Sequence, residues 1–208
     1  MSRRYTPLQS TFFEGDAEEV AQDLLGHSLV SITDGARCVG RIVETEAYPG
    51  PHDPASHAAA SIGRTARNDP MFGRPATAYI HLNYGIHWCL NVVTGAEGFP
   101  AAVLIRSLEP LEGLAEMRRR RAGAGAGAGV GRPDRDLCSG PAKLTQALGI
   151  GPAMQRHRLN EPPLFIARGK QVPGDAVVRA TRVGISRGAE KELRFYDGRS
   201  PCVSRKAL

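Results

Sequence analysis

The sequence predicts an α+β fold, a single domain in which short helices surround a mostly antiparallel β-sheet. Three observations carry that reading. Two tight-turn dipeptides, Asp34-Gly35 and Tyr84-Gly85, each sit between strand-like segments and mark hairpins. Helical patterns are few and short, and they do not alternate with the strands as a doubly wound parallel sheet requires. No G-x-G-x-x-G follows a strand and no Walker A pattern occurs, so no nucleotide cofactor is expected.

Element by element, Asp16-Ala-Glu-Glu19 has the form of a capping box, and Val20, Leu24 and Leu25 follow on one helical face before Gly26. Ser28–Thr33 alternates, turns at Asp34-Gly35, and feeds a long strand from about Arg37 to Tyr48. Residues 49–76 are rich in Pro, Gly, Ala and Asp and read as a long irregular loop, a class that is usually functional or disordered. Thr77–Asn83 and Ile86–Val93 form the second hairpin, and Ala102–Leu108 is a further apolar strand.

Pro110 suits the first turn of a helix that carries Leu111, Leu114 and Met117 into Arg118–Arg121, whose charges are expected to be a solvated helix end. The Gly/Ala run at 122–131 reads as a flexible loop. Ser139-Gly-Pro141 opens a helix through Leu144 and Leu148, and the tail holds strands at Leu164–Ala167, Val177–Ile185 and Leu193–Tyr196. There is no repeat and no domain linker.

The 208 residues are 41% hydrophobic, enough for a proper core, and no apolar run is long enough to span a membrane. The N-terminal MSRRYTPLQS has no apolar stretch behind its arginines, so a secretory signal is not expected. Four scattered cysteines without a C-x-x-C pair disfavour a zinc ribbon and suit reduced thiols of a cytoplasmic protein. The net charge of +6 is unevenly placed: residues 1–60 hold nine acids and four bases, the remainder 12 acids and 23 bases. That basic, arginine-dominated remainder fits a nucleic-acid partner and an ordinary basic enzyme equally well.

The residues able to carry chemistry begin with Glu44-Thr-Glu46-Ala-Tyr48. Strand alternation puts Glu44, Glu46 and Tyr48 on one face, with the carboxylates ~7 Å apart at Cα. Spacing alone leaves open a salt-bridged polar face, an acid–base pair as in glycoside cleavage, and a metal site. The strand then bends through Pro49-Gly50-Pro51 toward His57, a catalytic corner in outline. No metal-binding histidine spacing occurs, and no metal is expected.

Tyr79, His81 and Asn83 share a strand face, while His87, Cys89 and Asn91 make the polar side of the next strand. Tyr84 at an exposed hairpin tip suits insertion between base steps. Arg106 inside an apolar strand needs a carboxylate or phosphate partner. The Ser139–Lys143 helix start offers backbone N–H groups to an anion, although capping explains Ser139 equally well. A pocket, a phosphate-binding surface and an aromatic wedge meet in base flipping.

Six segments then make a family recognisable. RIVETEAYPGPHDPASH (Arg41–His57), TARNDPMF (Thr65–Phe72), AYIHLNYGIHWCLNVV (Ala78–Val93), VLIRSLEPLEG (Val103–Gly113), LCSGPAKLTQALGI (Leu137–Ile150) and LRFYDGRSPCVS (Leu193–Ser204) resemble, in order, the alkyladenine (3-methyladenine, methylpurine) DNA glycosylase family. The resemblance covers nearly the whole chain. It implies a curved sheet with a protruding hairpin and a monofunctional hydrolase that needs no cofactor, releases damaged purines from double-stranded DNA, acts as a monomer and is cytoplasmic, on the nucleoid in a bacterium.

The resemblance also implies roles by position. Glu46 in the VETEAY motif is the expected general base for the attacking water, and Arg106 is expected to help hold that water and the phosphate of the flipped nucleotide. Tyr48, His57, His81, Asn91 and Ala55 are expected to line the base pocket, Asn91 as a steric guard against an exocyclic amino group. Tyr84, with Ile86, is expected to intercalate. Thr65, Arg67, Met71, Tyr79, Ser139 and Lys143 are expected near the DNA backbone. His81 departs from the family, which commonly has a second pocket tyrosine there; the departure bears on the damaged-base spectrum, which the sequence sets at alkylated purines and leaves open for deaminated and etheno ones. A non-catalytic nucleic-acid binder of the same fold is the alternative, and a sugar glycosidase using Glu44 with Glu46 is a third reading.

Overall fold

The computed structural model describes residues 4–122 and 133–206. Nine strands form one antiparallel sheet: β1 (Ser28–Thr33), β2 (Ala36–Tyr48), β3 (Ala78–Asn83), β4 (His87–Thr94), β5 (Ala101–Glu112), β6 (Asn160–Glu161), β7 (Leu164–Ala167), β8 (Val177–Ala180) and β9 (Arg194–Asp197). The main path runs β3-β4-β5-β2-β1-β7-β6, with β9 pairing β2 and β8. Helices α1 (Ala17–Asp23), α2 (Leu114–Ala122) and α3 (Pro141–Leu148) accompany it. α1 packs on β2 and β5, α3 on β4 and β5, and α2 against α3. The α+β class, the antiparallel sheet and both hairpins therefore stand as read from the sequence. No helix among the described residues is long and apolar enough to cross a membrane.

The 13-residue β2 organises the molecule. On one edge it pairs β5; on the other it pairs β1 up to Arg41 and then β9 at Glu44–Glu46. Register shifts against β5 fall between Ile42 and Glu44 and between Glu44 and Thr45. Such irregularities re-aim side chains, here at the carboxylate pair. Leu24, Leu29, Ile42, Leu90, Ile105, Leu108 and Phe195 fill the core between the sheet and the helices.

Several local expectations are corrected. Asp16 occupies the α1 N-cap position with extended backbone but makes no side-chain capping bond. Pro110 lies within β5 rather than in a helix. It pairs with Gly40 beside a register shift, where a residue lacking an N–H is tolerated. The helix starts only after Gly113, whose φ of +81° and close approach to Arg37 O leave no room for a side chain. Leu111 is consequently an exposed strand residue.

The arginine run is not a solvated end throughout. Arg118 and Arg119 are exposed, but Arg120 is half-buried against Glu116 and the Thr33 carbonyl, and Arg121 is buried and reaches Gln146. Gly140, not Ser139, is the cap residue of α3. The strand expected over Val177–Ile185 stops at Ala180. Of the Gly/Ala run, all but Ala122 lies outside the described residues.

Candidate active site

Where β2 ends, the carboxylate pair divides. Glu46 is fully buried from solvent at large, yet it lines a cavity of about 160 Å3. Its Oε1 accepts the Val183 N–H at 2.7 Å and faces Arg106 Nη1 at 3.2 Å, while Oε2 accepts the Tyr48 hydroxyl at 3.0 Å. Glu44 does not line that cavity. Its oxygens are taken by Arg194 Nη1 at 2.9 Å, Arg106 Nε at 3.3 Å and the Ser204 N–H at 2.7 Å. One strand face thus yields one carboxylate on the cavity and one inside an ion-pair cluster, which removes the two-carboxylate glycosidase reading.

Burial raises the pKa of Glu46 above the ordinary carboxylate value, against the pull of Arg106, the Val183 N–H and the Tyr48 hydroxyl. Burial also lifts the Tyr48 hydroxyl well above its usual range, and the neighbouring Glu46 charge adds to this. Tyr48 is therefore a donor toward a carboxylate rather than an acid. Burial opposes the charge of Arg106, but Glu46 and Glu44 outweigh it and raise its pKa.

The Tyr48 ring has the Arg182 guanidinium over it, 4.8 Å from the centroid. Arg182 pairs with buried Asp53 (Nη2 to Oδ1, 2.9 Å) and donates to the Ala47 carbonyl at 3.0 Å. This clamp ties the end of β2, the 49–76 loop and the segment after β8 together. That segment leaves the sheet at Ala180, which frees the Val183 N–H for Glu46.

The loop itself is held by Asn68, whose Nδ2 donates to the carbonyls of His57 (2.8 Å) and Gly63 (2.7 Å) while Oδ1 accepts the Thr65 N–H (2.7 Å). His57 is thereby delivered to the cavity, its Nδ1 2.8 Å from the Tyr79 hydroxyl. His57 and His81 meet edge to face at 4.5 Å, and Tyr79 stacks on His81 at 5.2 Å. Burial lowers the pKa of both histidines, that of His81 to about 3 with His57 and Arg67 contributing, so both are neutral near pH 7. Burial lifts Tyr79 to about 12 and Cys89 to about 11.

Of the residues expected at the site, Glu46, Arg106, Tyr48, Ala55, His57, His81 and Asn91 line this one cavity. Met71 and Tyr79, expected beside the DNA backbone, are only 2% and 1% exposed and line the cavity instead. Tyr84 stands at its edge, 79% exposed, with Ile86 at 70%. Tyr84 adopts φ +50° and Gly85 φ +72°, a backbone that ordinarily selects Asn, Asp or Gly at the first position. An exposed tyrosine held there breaks a local rule, as functional positions often do.

Thr65, Arg67, Ser139 and Lys143 lie outside the cavity lining. Thr65 and Arg67 are exposed, and Arg67 Nη2 bonds the Leu82 carbonyl at 3.0 Å, which sets the loop beside the β3–β4 hairpin. Lys143 Nζ bonds Ser139 Oγ at 3.0 Å. Sequence reasoning missed Arg182, Asp53, Val183 and the Arg194–Ser204 anchor of Glu44. The Val183 contribution is a backbone N–H and leaves no mark in the sequence, and the charged residues sit in segments without periodicity that would disclose their partners.

A family model described as methylpurine-DNA glycosylase matches residues 11–201. A protein of Salinibacter ruber named "Putative 3-methyladenine DNA glycosylase" is 44% identical over 207 residues, covering 95% of this chain and 96% of its own. One of Carboxydothermus hydrogenoformans with the same name is 43% identical, covering 96% and 99%. The human protein named "DNA-3-methyladenine glycosylase" is 43% identical over 96% of this chain and 68% of its own length.

Proposed function

The chain belongs to the methylpurine-DNA glycosylase family, and from that membership we propose that it flips alkylated purines out of duplex DNA and hydrolyses their N-glycosidic bond. The observation that carries the reading is Glu46: a carboxylate sealed from bulk water, open to a base-sized cavity, and surrounded by Arg106, the Val183 N–H and the Tyr48 hydroxyl.

Glu46 removes the proton from a water as that water attacks the sugar carbon, and its negative charge stabilises the oxocarbenium-like sugar. Three donors hold the carboxylate in one orientation, so little reorganisation remains for the reacting state. Arg106 balances the buried charge and steadies the carboxylate. The adenine of 3-methyladenine already carries positive charge and leaves readily, so no acid is needed to protonate it. Tyr48, backed by Arg182, presents an aromatic face to the extruded base; Asp53 offsets the charge of Arg182 and preserves the attraction of the ring for a cationic base. His57, Tyr79, His81 and Asn91 bound the base on the other side. None of the cavity-lining residues is a lysine, in keeping with direct hydrolysis rather than a Schiff base.

Tyr84 and Ile86 on the hairpin tip fill the space the nucleotide vacates, and Thr65, Arg67, Ser139 and Lys143 face the phosphates. Deaminated and etheno purines extend the substrate range. The test is base release from duplexes that each carry one lesion, read by alkaline cleavage at the abasic product. Release of 3-methyladenine with no strand nick before alkali is the expected result.

A further inference from the structure

The chain between β8 and β9 forms no strand of its own, since β8 ends at Ala180 and β9 begins at Arg194. Val183, Gly184 and Ile185 of this connection nevertheless line the cavity, and the Val183 N–H reaches Glu46 Oε1 at 2.7 Å. A donor on a strandless connection needs another anchor to stay aligned with a carboxylate. One is the bond from Arg194 Nε to the Thr181 carbonyl at 2.8 Å. Arg182 is the other. Its carbonyl and the Val183 N–H belong to one planar peptide unit, so holding Arg182 restrains the direction of that N–H.

The side chains of Arg182 and Asp53 are fully buried, and neither lines the cavity. Arg182 Nη1 donates to the Ala47 carbonyl at 3.0 Å and to Asp53 Oδ2, and Nη2 donates to Asp53 Oδ1 at 2.9 Å and to the Gly188 carbonyl at 3.4 Å. Only Nε finds no partner among the described residues. The guanidinium carbon stands 4.8 Å from the centroid of the Tyr48 ring. Asp53 Oδ1 also accepts the Ala55 N–H at 3.2 Å, and Ala55 lines the cavity. One buried pair outside the lining thus reaches Tyr48, Ala55 and Val183 at once.

A buried ion pair is a poor source of stability, because desolvating both charges offsets much of their attraction. What it supplies is geometry: a planar guanidinium fork fixes several acceptors relative to one another. Two of the donors on Glu46, the Tyr48 hydroxyl and the Val183 N–H, come from residues that Arg182 holds. We propose that the Arg182–Asp53 pair is the positioning element of the catalytic carboxylate, with Arg182 keeping the Tyr48 hydroxyl and the Val183 N–H on Glu46 without touching substrate. This rests on the glycosylase reading and deepens it.

The charged and titratable groups around Glu46 are Arg106 from β5, Cys89 from β4, Glu44 and Tyr48 from β2, and Arg182. The Val183 and Tyr48 donors favour the charged form of Glu46, so loosening either raises its pKa. The test is Arg182→Lys, which keeps a charge and loses the planar fork. The acid limb of single-turnover base release is expected to move up by about one pH unit and the plateau rate to fall about tenfold, while the lesion-duplex Kd changes by less than about threefold. A merely structural loss lowers the active fraction and leaves the limb in place. Carboxyl-carbon NMR titration of Glu46 in the free protein, assigned against Glu46→Gln, reads the same shift without turnover.

Because a lysine buried beside Asp53 can weaken the fold, a second variant carries Asp53→Asn together with Arg182→Gln. It replaces the ion pair by two neutral amides and leaves no lone buried charge. The same upward shift is expected of it. The proposal is overturned if Glu46 titrates in either folded variant as it does in the wild type. It is overturned equally if both variants only unfold, since the pair is then a determinant of the fold alone. Failure of the wild type to release any base refutes the glycosylase reading instead, and the NMR titration still decides this proposal.

Discussion

Arg106 Nη1 lies 3.2 Å from Glu46 Oε1, and the same guanidinium points its Nε at Glu44 Oε1 at 3.3 Å. All three groups are buried. One arginine is therefore shared between a carboxylate on the cavity and a carboxylate anchored to Arg194 and Ser204.

Removing the shared cation leaves two buried carboxylates facing each other. Arg106→Met is expected to destabilise the fold by about 3–5 kcal/mol, as breaking buried pairs generally does. It should also raise the Glu46 pKa further, because Arg106 is the largest influence holding it down. Denaturant unfolding checks the first expectation. The pH dependence of base release checks the second, through an acid limb that moves to higher pH.

In the wild type, base catalysis needs Glu46 ionised, and burial has raised its pKa. The acid limb of kcat/KM should therefore fall above the ordinary glutamate pKa. The linked effect on stability has a definite sign. A group whose folded pKa is raised stabilises the fold below its unfolded value of 4.5, and that contribution is lost as pH rises through the folded pKa. Glu46→Gln cannot ionise, so its stability relative to the wild type should increase from acid to neutral pH. Unfolding free energies of both proteins measured across that range check it.

The histidines predict the opposite trend. The pKa of His27 is lowered to about 4 and that of His81 to about 3, and His57 is lowered too, in each case chiefly by burial. These groups take up protons in the unfolded chain first, at about 6.5. Stability present above pH 6.5 should decline as pH falls through 6.5 toward 3–4. His81→Phe should flatten part of that decline, measured as Tm against pH.

Tyr84 touches little of its own fold, so Tyr84→Ser should leave stability within about 0.5 kcal/mol. Loss of a stacking wedge should slow release of a paired lesion by about tenfold and spare a lesion opposite a gap. Equal rates for variant and wild type on the paired lesion would remove Tyr84 from the flipping step.

The parts of this molecule written in local pattern were legible in the sequence, and the parts written in long-range pairing were not. Alternation and turn dipeptides disclose β1–β2 and β3–β4 because side-chain period and turn chemistry are local properties. Pro110 misled because a proline reads as a helix start, whereas its tolerance in β5 depends on a register shift against Gly40 on another strand. Glu46, Tyr48 and His57 stood out through motif and loop context. Arg182 and Val183 did not, because a backbone N–H has no sequence signature and a lone arginine shows no partner. Arg120 and Arg121 looked solvated because only the packing of α2 on α3 and the sheet covers the first in part and buries the second.

The most direct measurement is single-turnover release of 3-methyladenine by Glu46→Gln, made beside its affinity for the lesion duplex. Loss of the general base should lower the release rate by about 10²–10⁴-fold while duplex binding is retained. Release at the wild-type rate by a properly folded Glu46→Gln protein would contradict the assignment of Glu46 as the base.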